Sequence, residues 1–184
     1  MRKNFGSKPW VYPQPVLIIG TYDKEGKPNA MNAAWGGQYD TELVMLCLGE
    51  HKTTENIRLK GAFTVSFATA STVVASDYVG IASGSDVADK MEKAGFHTTK
   101  SEYVDAPVID ELPFTLECEL VKFNEDGIVV GKIVNVSADE SVLDEKGNVD
   151  AAKLDAIIFD PVNAAYLRLG EKVGDAFQIG EKLK

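Results

Sequence analysis

Short apolar runs separated by polar turns form the dominant pattern of the chain. Runs rich in branched and aromatic residues predict strands, because such side chains suit a pleated, half-buried surface. The predicted strands are 16–22, 29–37, 43–48, 62–68, 116–123 and 128–136, followed by two short segments at 157–159 and 165–169. Polar turns at 23–26 and 124–127 each join two of these strands, so the pattern indicates two hairpins.

Two of these runs also predict which faces are buried. The run 43–48 is almost continuously apolar, which is typical of a strand covered on both faces. The run 62–68 alternates instead, and this places Phe63, Val65 and Phe67 on one face of a strand.

Helical spacing is found at 53–60, 71–83 and 89–94. Gly61 and Gly95 follow the first and third of these segments, and glycine commonly ends a helix. In the second segment Val74, Tyr78 and Ile81 recur at intervals of four and three residues, as they would on one apolar face.

Strands in hairpins with helices inserted between them predict an α+β protein built on a small closed β-barrel. The region 98–113 holds two prolines that interrupt any long element, and it is predicted to be a loop. A length of 184 residues without an internal repeat or linker favours one domain over 1–184. No glycine-rich nucleotide motif follows a strand, which excludes the Rossmann and P-loop classes.

The charge balance narrows the range of partners. The formal net charge is -9 and the pI is about 4.7, which argues against duplex nucleic acid, because such binding needs many lysines and arginines to neutralise phosphates. Any anion must therefore be held by a local site. No run is long enough to cross a bilayer and the N-terminus lacks the apolar core of a signal peptide, so we expect a cytoplasmic protein without a membrane partner.

The usual catalytic side chains are scarce. There are two cysteines and two histidines, without the spacing of a zinc site, a redox pair or a nucleophile–base pair. Cys47 lies in an apolar run, and Cys118 is flanked by Glu117 and Glu119, which the alternation predicts to face solvent. A protein without its own acids, bases and nucleophiles can take its chemistry from a cofactor.

One candidate anion site is the turn of His51, Lys52, Thr53 and Thr54, which opens the first predicted helix. Amides at a helix start have no partner within the helix and carry positive dipole character, and two hydroxyls and an ammonium group would add to a phosphate site. The alternative is structural: Thr53 is an ordinary helix cap and Lys52 a solvated charge.

A second candidate is the strand 29–37. Asn29 and Asn32 offer amide groups, while Ala33 and Ala34 keep the surface low enough for a planar ring to reach the backbone. Trp35 would add an aromatic edge. The alternative is a strand packed under a helix, with small residues for close approach and Trp35 in the core.

Further candidates lie later in the chain. After the break at Ser83 and Gly84, Lys90 is in a position to approach a phosphate or a ring carbonyl, although a solvated lysine is the alternative. Tyr166 is either a site residue or barrel packing, and Arg168 is either a site residue or part of a salt bridge.

An ordered set of short motifs runs through about residues 15–169. It comprises Pro15-Val16, Asp23-x-x-Gly26-x-Pro28-Asn29-Ala-Met-Asn32-Ala-Ala-Trp35, Thr53-Thr54-x-Asn56-Ile57, Ser76-Asp77-Tyr78-x-Gly80-x-x-Ser83-Gly84, Asp89-Lys90 with Gly95-Phe96, and Leu116-Glu-Cys118. In order and spacing the set resembles the flavin reductase-like family, and within it the flavoredoxin-like branch.

The resemblance implies an FMN-binding split β-barrel with inserted helices, mainly β within the α+β class, usually a homodimer with each site near the subunit interface. It implies that the isoalloxazine lies along the segment from Asn29 to Trp35 and that the turn beginning at His51 meets the phosphate. The implied cofactor-binding residues are Asn29, Met31, Asn32, Ala33, Ala34, Trp35, His51, Lys52, Thr53, Thr54, Ser83, Gly84 and Lys90. With the resemblance, ligand contact becomes the preferred interpretation for Asn29, for Asn32 and for the lysine and two threonines of the turn. For Trp35, Lys90 and Tyr166, ligand contact and a structural role both stay open.

The leading hypothesis is an oxidoreductase that passes electrons from NADH or NADPH through flavin to an unidentified acceptor, with no catalytic side chain of its own. The second is an FMN electron carrier of the flavoredoxin type, without its own nicotinamide chemistry, whose acidic surface docks a basic redox partner. The third is a cofactor-free structural protein on the same barrel.

Overall fold

The computed structural model of the protein describes residues 1–183. Within them there are twelve strands, four α-helices and three short 3-10 helices. The strands are β1 (Gln14–Pro15), β2 (Leu17–Tyr22), β3 (Pro28–Ala33), β4 (Gly36–Asp40), β5 (Leu43–Cys47), β6 (Ala62–Phe67), β7 (Thr98–Lys100), β8 (Pro107–Ile109), β9 (Phe114–Phe123), β10 (Ile128–Ala138), β11 (Ile157–Asp160) and β12 (Ala165–Arg168). The α-helices are α1 (Lys52–Lys60), α2 (Val73–Ile81), α3 (Lys90–Ala94) and α4 (Ala151–Leu154), and the 3-10 helices are Ala70–Thr72, Glu140–Val142 and Ile179–Leu183.

The principal sheet has seven antiparallel strands in the order β3-β2-β6-β9-β10-β5-β4 and curls into a half-barrel. β3 and β4 are its two end strands, and within residues 1–183 they do not pair with each other. The fold is therefore a split β-barrel with inserted helices, mainly β, as the family resemblance implied. The fully closed barrel expected from the strand pattern alone was wrong, because the barrel remains open between the two end strands.

The principal sheet is buried on both faces around β2. Leu17 and Ile19 point into the barrel core, while Val16 and Ile18 point the other way, into a second cluster that includes Val79 of α2. All five side chains are no more than 2% exposed. The alternation of side chains along one strand thus joins the barrel to its helical layer.

Both predicted hairpins are confirmed: β2 pairs with β3 and β9 pairs with β10. The helix ends are confirmed as well. Gly61 after α1 and Gly95 after α3 have φ of 65° and 71°, a left-handed conformation that glycine adopts without steric cost. Among residues 1–183, no helix combines the length and the apolar character needed to cross a membrane.

The prediction that the strand 43–48 is covered on both faces was wrong. Val44 and Leu46 are buried in the barrel, but Met45 is only partly buried and Cys47 is exposed. One face of β5 packs in the barrel core, and its other face lines a surface cavity together with Trp35. A continuous apolar run here reflects an apolar surface rather than a second buried layer.

The apolar face predicted for the second helix also differs from the observed contacts. Val74 and Ile81 are 80% and 77% exposed, whereas Ser76 and Val79 are buried. α2 packs onto β3 through small residues, and a β-carbon at Gly80 would lie only 2.9 Å from the β-carbon of Asn32. The close approach of helix and strand, rather than apolar spacing, determines the buried face.

Two further predictions need correction. The region 98–113 is not only a loop, because β7 and β8 pair within it, with Pro107 opposite Lys100 at the end of the ladder. Glu117 does not face solvent: it is 3% exposed and accepts hydrogen bonds from Ser101 Oγ and, at 2.7 Å, from Asn135 Nδ2. These two donors stabilise a buried carboxylate that the alternation alone did not predict.

Candidate functional site

A cleft of about 520 Å³ lies between the start of α1, the edge strand β3 and the chain that follows α2. Most of the predicted cofactor-binding residues line this cleft: Asn29, Met31, Asn32, His51, Lys52, Thr53, Ser83, Gly84 and Lys90. Segments that are distant in sequence therefore come together as the resemblance implied.

β3 lies at one end of the principal sheet, so its outer edge pairs with no other strand of the described chain. Asn29 and Met31 lie on one face of β3 and Asn32 on the other, yet all three line the cleft. The cleft therefore runs along the edge of the strand, where its free backbone N–H and C=O groups are accessible to a ligand.

The first turn of α1 is fixed to β3 by a buried hydrogen bond. Asn29 Nδ2 donates to Thr53 Oγ1 at 2.9 Å, and these residues are 8% and 1% exposed. Within α1 the first backbone bond runs from Glu55 N to His51 O at 3.1 Å, so the amides of Lys52 and Thr53 precede the helical ladder. The positive end of the helix is held against the cleft wall.

Thr54 serves the helix rather than the cleft. Its hydroxyl accepts from His51 N and donates to His51 O, both at 2.8 Å, and the residue is fully buried. The hydroxyl that caps α1 is therefore that of Thr54 and not, as the structural alternative held, that of Thr53. Contrary to the prediction for Thr54, its side chain does not line the cleft.

Lys90 is the most unusual charged residue of the cleft. It is 4% exposed, and among residues 1–183 no hydrogen-bond or ion-pair partner is found for its ammonium group. Burial lowers the pKa of Lys90 from 10.5 to about 8. The alternative of a solvated lysine is therefore wrong. A buried cation without a protein carboxylate is typical of a site that receives an anion.

Lys52 adds a second cation, with a side chain that is 32% exposed. Its one ion pair, to Glu55 Oε2 at 3.4 Å, is long and open to solvent, and such pairs contribute little. The ammonium of Lys52 is therefore free to turn toward a ligand in the cleft.

Gly84 allows the loop after α2 to approach β3 closely. A β-carbon there would collide with the side-chain oxygen of Asn29 and lie 3.6 Å from Cγ of Lys52. The neighbouring Ser83 Oγ accepts from Ser85 N at 3.1 Å, which shapes the turn. Glycine at this point keeps open the space beside Asn29 and Lys52.

A smaller cavity of about 280 Å³ adjoins the cleft and shares Asn32, Gly80 and Ile81 with it. Asn32 Nδ2 donates to Ser76 O at 3.0 Å, which fixes the amide at the boundary between the two spaces. The remaining lining residues come from four separate segments, the chain just after β3 and the elements α2, β11 and β12: Ala34, Asp77, Phe159 and Tyr166.

Tyr166 lies in this smaller cavity and not merely in barrel packing. Its hydroxyl donates to Asp77 Oδ1 at 2.7 Å and so joins β12 to α2. Burial, reinforced by the hydrogen bond to Asp77 and its negative charge, raises the pKa of Tyr166 to about 12. Arg168, in contrast, pairs with Asp155 at 2.9 Å and takes no part in either cavity, as the salt-bridge alternative predicted.

Besides Thr54, three predicted residues lie outside the larger cleft. Ala33 is 8% exposed and packs in the barrel core, and Ala34 lines only the smaller cavity. Trp35 is neither in the core nor in the cleft. It is 59% exposed and lines a separate apolar cavity with Val11 and Met45.

Sequence reasoning missed Gly80 and Asp77 as parts of the site. Gly80 had a usable signal, because a glycine inside a helical pattern often marks a close backbone approach. Asp77 belongs to one of the motifs of the resemblance, but its pairing could not be predicted, since its partner Tyr166 lies 89 residues away in the chain. Within residues 1–183 no group of three or more histidines, cysteines and carboxylates is placed to hold a metal ion.

The fold and the cleft define a class of protein, the split barrels of a flavin-binding family. The chain belongs to the flavin reductase-like family, because the family model described as "Flavin reductase like domain" matches residues 10–154. Within that family it falls in the flavoredoxin-like branch, as the resemblance indicated.

Individual solved structures resemble this chain in sequence and in fold. The flavoredoxin of Desulfovibrio vulgaris (Miyazaki F) is 36% identical, with a TM-score of 0.94 over 98% of this chain and 100% of that one. The flavoredoxin of Methanosarcina acetivorans is 27% identical, with a TM-score of 0.90 over 100% of both chains. Nitrilotriacetate monooxygenase component B from Bacillus cereus, at 21% identity and a TM-score of 0.73 over 90% of this chain and 88% of that one, shares the fold.

Proposed function

We propose that the protein binds FMN in the cleft and passes electrons from NADH or NADPH, through the flavin, to an acceptor. The observation that carries the proposal is Lys90, whose largely buried side chain brings an ammonium group without a carboxylate partner to the cleft. A partly desolvated charge of this kind is costly unless a counter-ion binds, and the phosphate of FMN supplies one.

The residues at the α1 end fit a phosphate group. The amides of Lys52 and Thr53 precede the helical ladder, and the ammonium groups of Lys52 and Lys90 line the same cleft. Amides at a helix start and lysine ammonium groups are both common phosphate ligands. Gly84 leaves room for that group, because a side chain there would fill the space beside Asn29.

The edge of β3 fits a planar, polar ring. The unpaired backbone groups of β3 offer donors and acceptors along one line, and Asn32 is held at its far end by the hydrogen bond to Ser76. Bound flavin supplies the redox chemistry, the uptake of a hydride and its release as electrons. The chain has only to hold the two reacting rings in contact, since proximity itself lowers the barrier substantially.

A second candidate function is that of an FMN electron carrier without nicotinamide chemistry. Two observations favour it: the two most similar structures described above are flavoredoxins, and a cavity of about 650 Å³ beside the phosphate end has an acidic rim. The acidic residues of that rim are Asp23, Glu25, Asp86, Asp89 and Glu92. A basic redox protein would be steered toward such a rim.

We also propose that the protein forms a homodimer through the surface around Trp35. Trp35 and Val11 are 59% and 71% exposed, and with Met45 and Cys47 they line an apolar cavity of about 520 Å³. Exposed apolar patches of this kind commonly mark protein interfaces. Sedimentation should give a dimer for the wild type and a monomer for Val11→Lys, and a monomeric wild type would contradict this proposal.

Anaerobic mixing of the FMN-loaded protein with NADH and with NADPH tests the main proposal. Rapid loss of the visible flavin absorbance supports an oxidoreductase. Indifference to both nucleotides, with normal FMN binding, leaves the electron carrier. A colourless protein that cannot take up FMN contradicts both functions and favours a structural role.

A further inference from the structure

The smaller cavity beside Tyr166 differs in chemistry from the cleft that it adjoins. It shares Asn32, Gly80 and Ile81 with the cleft, but it contains neither of the cleft's lysines. A molecule in this cavity would therefore contact whatever occupies the β3 end of the cleft, at a distance from the proposed phosphate site.

The polar groups of this cavity accept hydrogen bonds rather than donate them. The hydroxyl proton of Tyr166 is directed at Asp77 Oδ1, at 2.7 Å. This arrangement leaves the other carboxylate oxygen of Asp77 with free lone pairs. The Asn32 side-chain amide has two N–H groups; it donates one to Ser76 O and also donates to the Tyr166 oxygen, so neither is left for a ligand.

The remaining walls are apolar and suit a flat ring. Phe159 pairs with Tyr166 in the β11–β12 ladder, and their ring centroids are 6.1 Å apart. Ile81 and Ala34 line the same space from α2 and from the end of β3. A ligand here needs an apolar plane with N–H donors at its edge.

We propose that this cavity seats the carboxamide-bearing ring of the nicotinamide nucleotide, with Asp77 as the hydrogen-bond acceptor for its amide and Tyr166 as the residue that positions the Asp77 carboxylate. The inference rests on the proposed function and assigns the electron donor's binding site. It names Asp77 as a specificity-determining residue, because a ligand without an N–H donor would not pair with its second carboxylate oxygen.

The charge of Asp77 fits the change that the nicotinamide undergoes. The C4–H bond breaks, the electron pair leaves with the hydrogen for the flavin, and the neutral dihydropyridine becomes a pyridinium cation. A carboxylate beside that ring stabilises the developing positive charge more than it stabilises the neutral ring. The same carboxylate would repel an acceptor that becomes an anion on reduction, which favours the donor as occupant.

Calorimetric titration of the FMN-loaded protein tests this assignment without turnover. The two probes are NAD⁺, whose ring is charged, and tetrahydro-NADH, which keeps the carboxamide on an uncharged ring and cannot transfer hydride readily. Asp77→Asn keeps an oxygen for Tyr166 but removes the charge. We expect it to weaken NAD⁺ binding about fivefold and tetrahydro-NADH binding less than about twofold. Tyr166→Phe should weaken both probes about threefold.

Two matched variants control for the loss of a surface charge or hydroxyl elsewhere. Asp126→Asn lies in the turn after β9, and Tyr103→Phe removes the hydroxyl of a tyrosine that is 59% exposed; neither residue lines the cavity. Both controls should bind the two probes as the wild type does. Thermal unfolding tests whether each variant is folded. If Tyr166→Phe does not fold, the ratio of the NAD⁺ and tetrahydro-NADH affinities in Asp77→Asn decides the question alone.

The outcomes separate this inference from the function on which it rests. In one outcome the wild type binds both probes, and the ratio of its NAD⁺ and tetrahydro-NADH affinities is unchanged in Asp77→Asn. That result overturns the cavity assignment and leaves the proposed oxidoreductase function intact. A wild type that binds FMN but neither probe overturns both. An altered FMN affinity in Asp77→Asn, with nucleotide binding unchanged, would instead place the carboxylate at the flavin and also overturn the assignment.

Discussion

The cleft and the smaller cavity that adjoins it present opposite charges to a ligand. At the α1 end of the cleft, Lys52 and Lys90 offer positive charge that the protein does not neutralise with a close carboxylate, apart from the long contact to Glu55. In the smaller cavity, a short hydrogen bond joins Tyr166 to Asp77, and Asp77 offers its second carboxylate oxygen. The same edge strand, β3, lines the space between them.

This difference suggests how one open cleft can orient an extended ligand. The end with an unpaired buried cation gains most from an anion, because binding removes the cost of a desolvated charge. The smaller cavity gains less, since Tyr166 and Asp77 already pair with each other without ligand. We therefore expect most of the FMN affinity to come from the phosphate end, and the predictions below test this asymmetry.

The largest effect is expected for Lys90→Met, which keeps the length and apolar stem but removes the charge. FMN binding should weaken about thirtyfold, because a charge-assisted hydrogen bond contributes about 1.5–3 kcal/mol. Lys93→Met is the matched control on the same helix: Lys93 is exposed and pairs with Asp89 at 2.9 Å. Equal FMN affinities for the two variants in a fluorescence titration would contradict the role of Lys90.

Gly84→Ala should weaken FMN binding about tenfold. The expected cause is that the displaced Asn29 side chain loses its hydrogen bond to Thr53 and narrows the space beside Lys52. The added methyl group would collide with the Asn29 side chain. Gly170→Ala is the control, since a β-carbon there meets nothing within 4 Å. If the alanine at position 84 is tolerated with full affinity, the close approach is not part of the FMN site.

FMN affinity should fall about fivefold between about pH 7 and pH 9, because Lys90 loses its proton near pH 8. The sign for the apoprotein is opposite. The unfolded chain keeps that proton up to the ordinary lysine pKa of 10.5, so between 8 and 10.5 it binds more protons than the folded protein, and the free energy of unfolding rises with pH. Lys90→Met should abolish both trends, and a persistent affinity trend in that variant would assign the titration to another group.

The smallest effect is expected for Lys52→Ala. Its side chain is partly solvated, so FMN binding should weaken only about threefold, while the rate of flavin reduction changes less than about twofold. Lys24→Ala removes a more exposed lysine that, like Lys52, pairs with a glutamate but does not line the cleft, and it serves as the control. Stopped-flow measurement at saturating FMN gives the rate of flavin reduction independently of FMN affinity. A normal FMN affinity in Lys52→Ala would show that Lys52 does not contact the cofactor.

The local features of this site were predictable from the sequence, and its long-range features were not. The turn at His51 and the end of α1 at Gly61 depend on neighbouring residues, so spacing predicted both. The capping role of the Thr54 hydroxyl could not be predicted, because adjacent threonines look alike in a sequence and only the fold decides which hydroxyl caps the helix. The burial of Lys90 depends on how a short helix packs, which no local pattern specifies.

Strand periodicity alone could not predict which residues in and after β3 line the cleft. Ala33 and Trp35 come soon after Asn29 and Asn32, which line the cleft, yet Ala33 packs in the core and Trp35 lines a different surface. Only the position of β3 at the sheet edge explains why residues of both its faces meet one cleft while the next ones do not. Sheet order of this kind comes from pairings between distant strands, and the resemblance supplied it where the apolar pattern could not.

The most direct test compares FMN with riboflavin, which has the same ring system but no phosphate, by titration of the wild type and of Lys90→Met. The wild type should bind FMN at least about thirtyfold more tightly than riboflavin, and Lys90→Met should lose most of that preference with its riboflavin affinity unchanged. Equal affinity of the wild type for both flavins, or a preference that survives in Lys90→Met, would contradict a phosphate site at this end of the cleft.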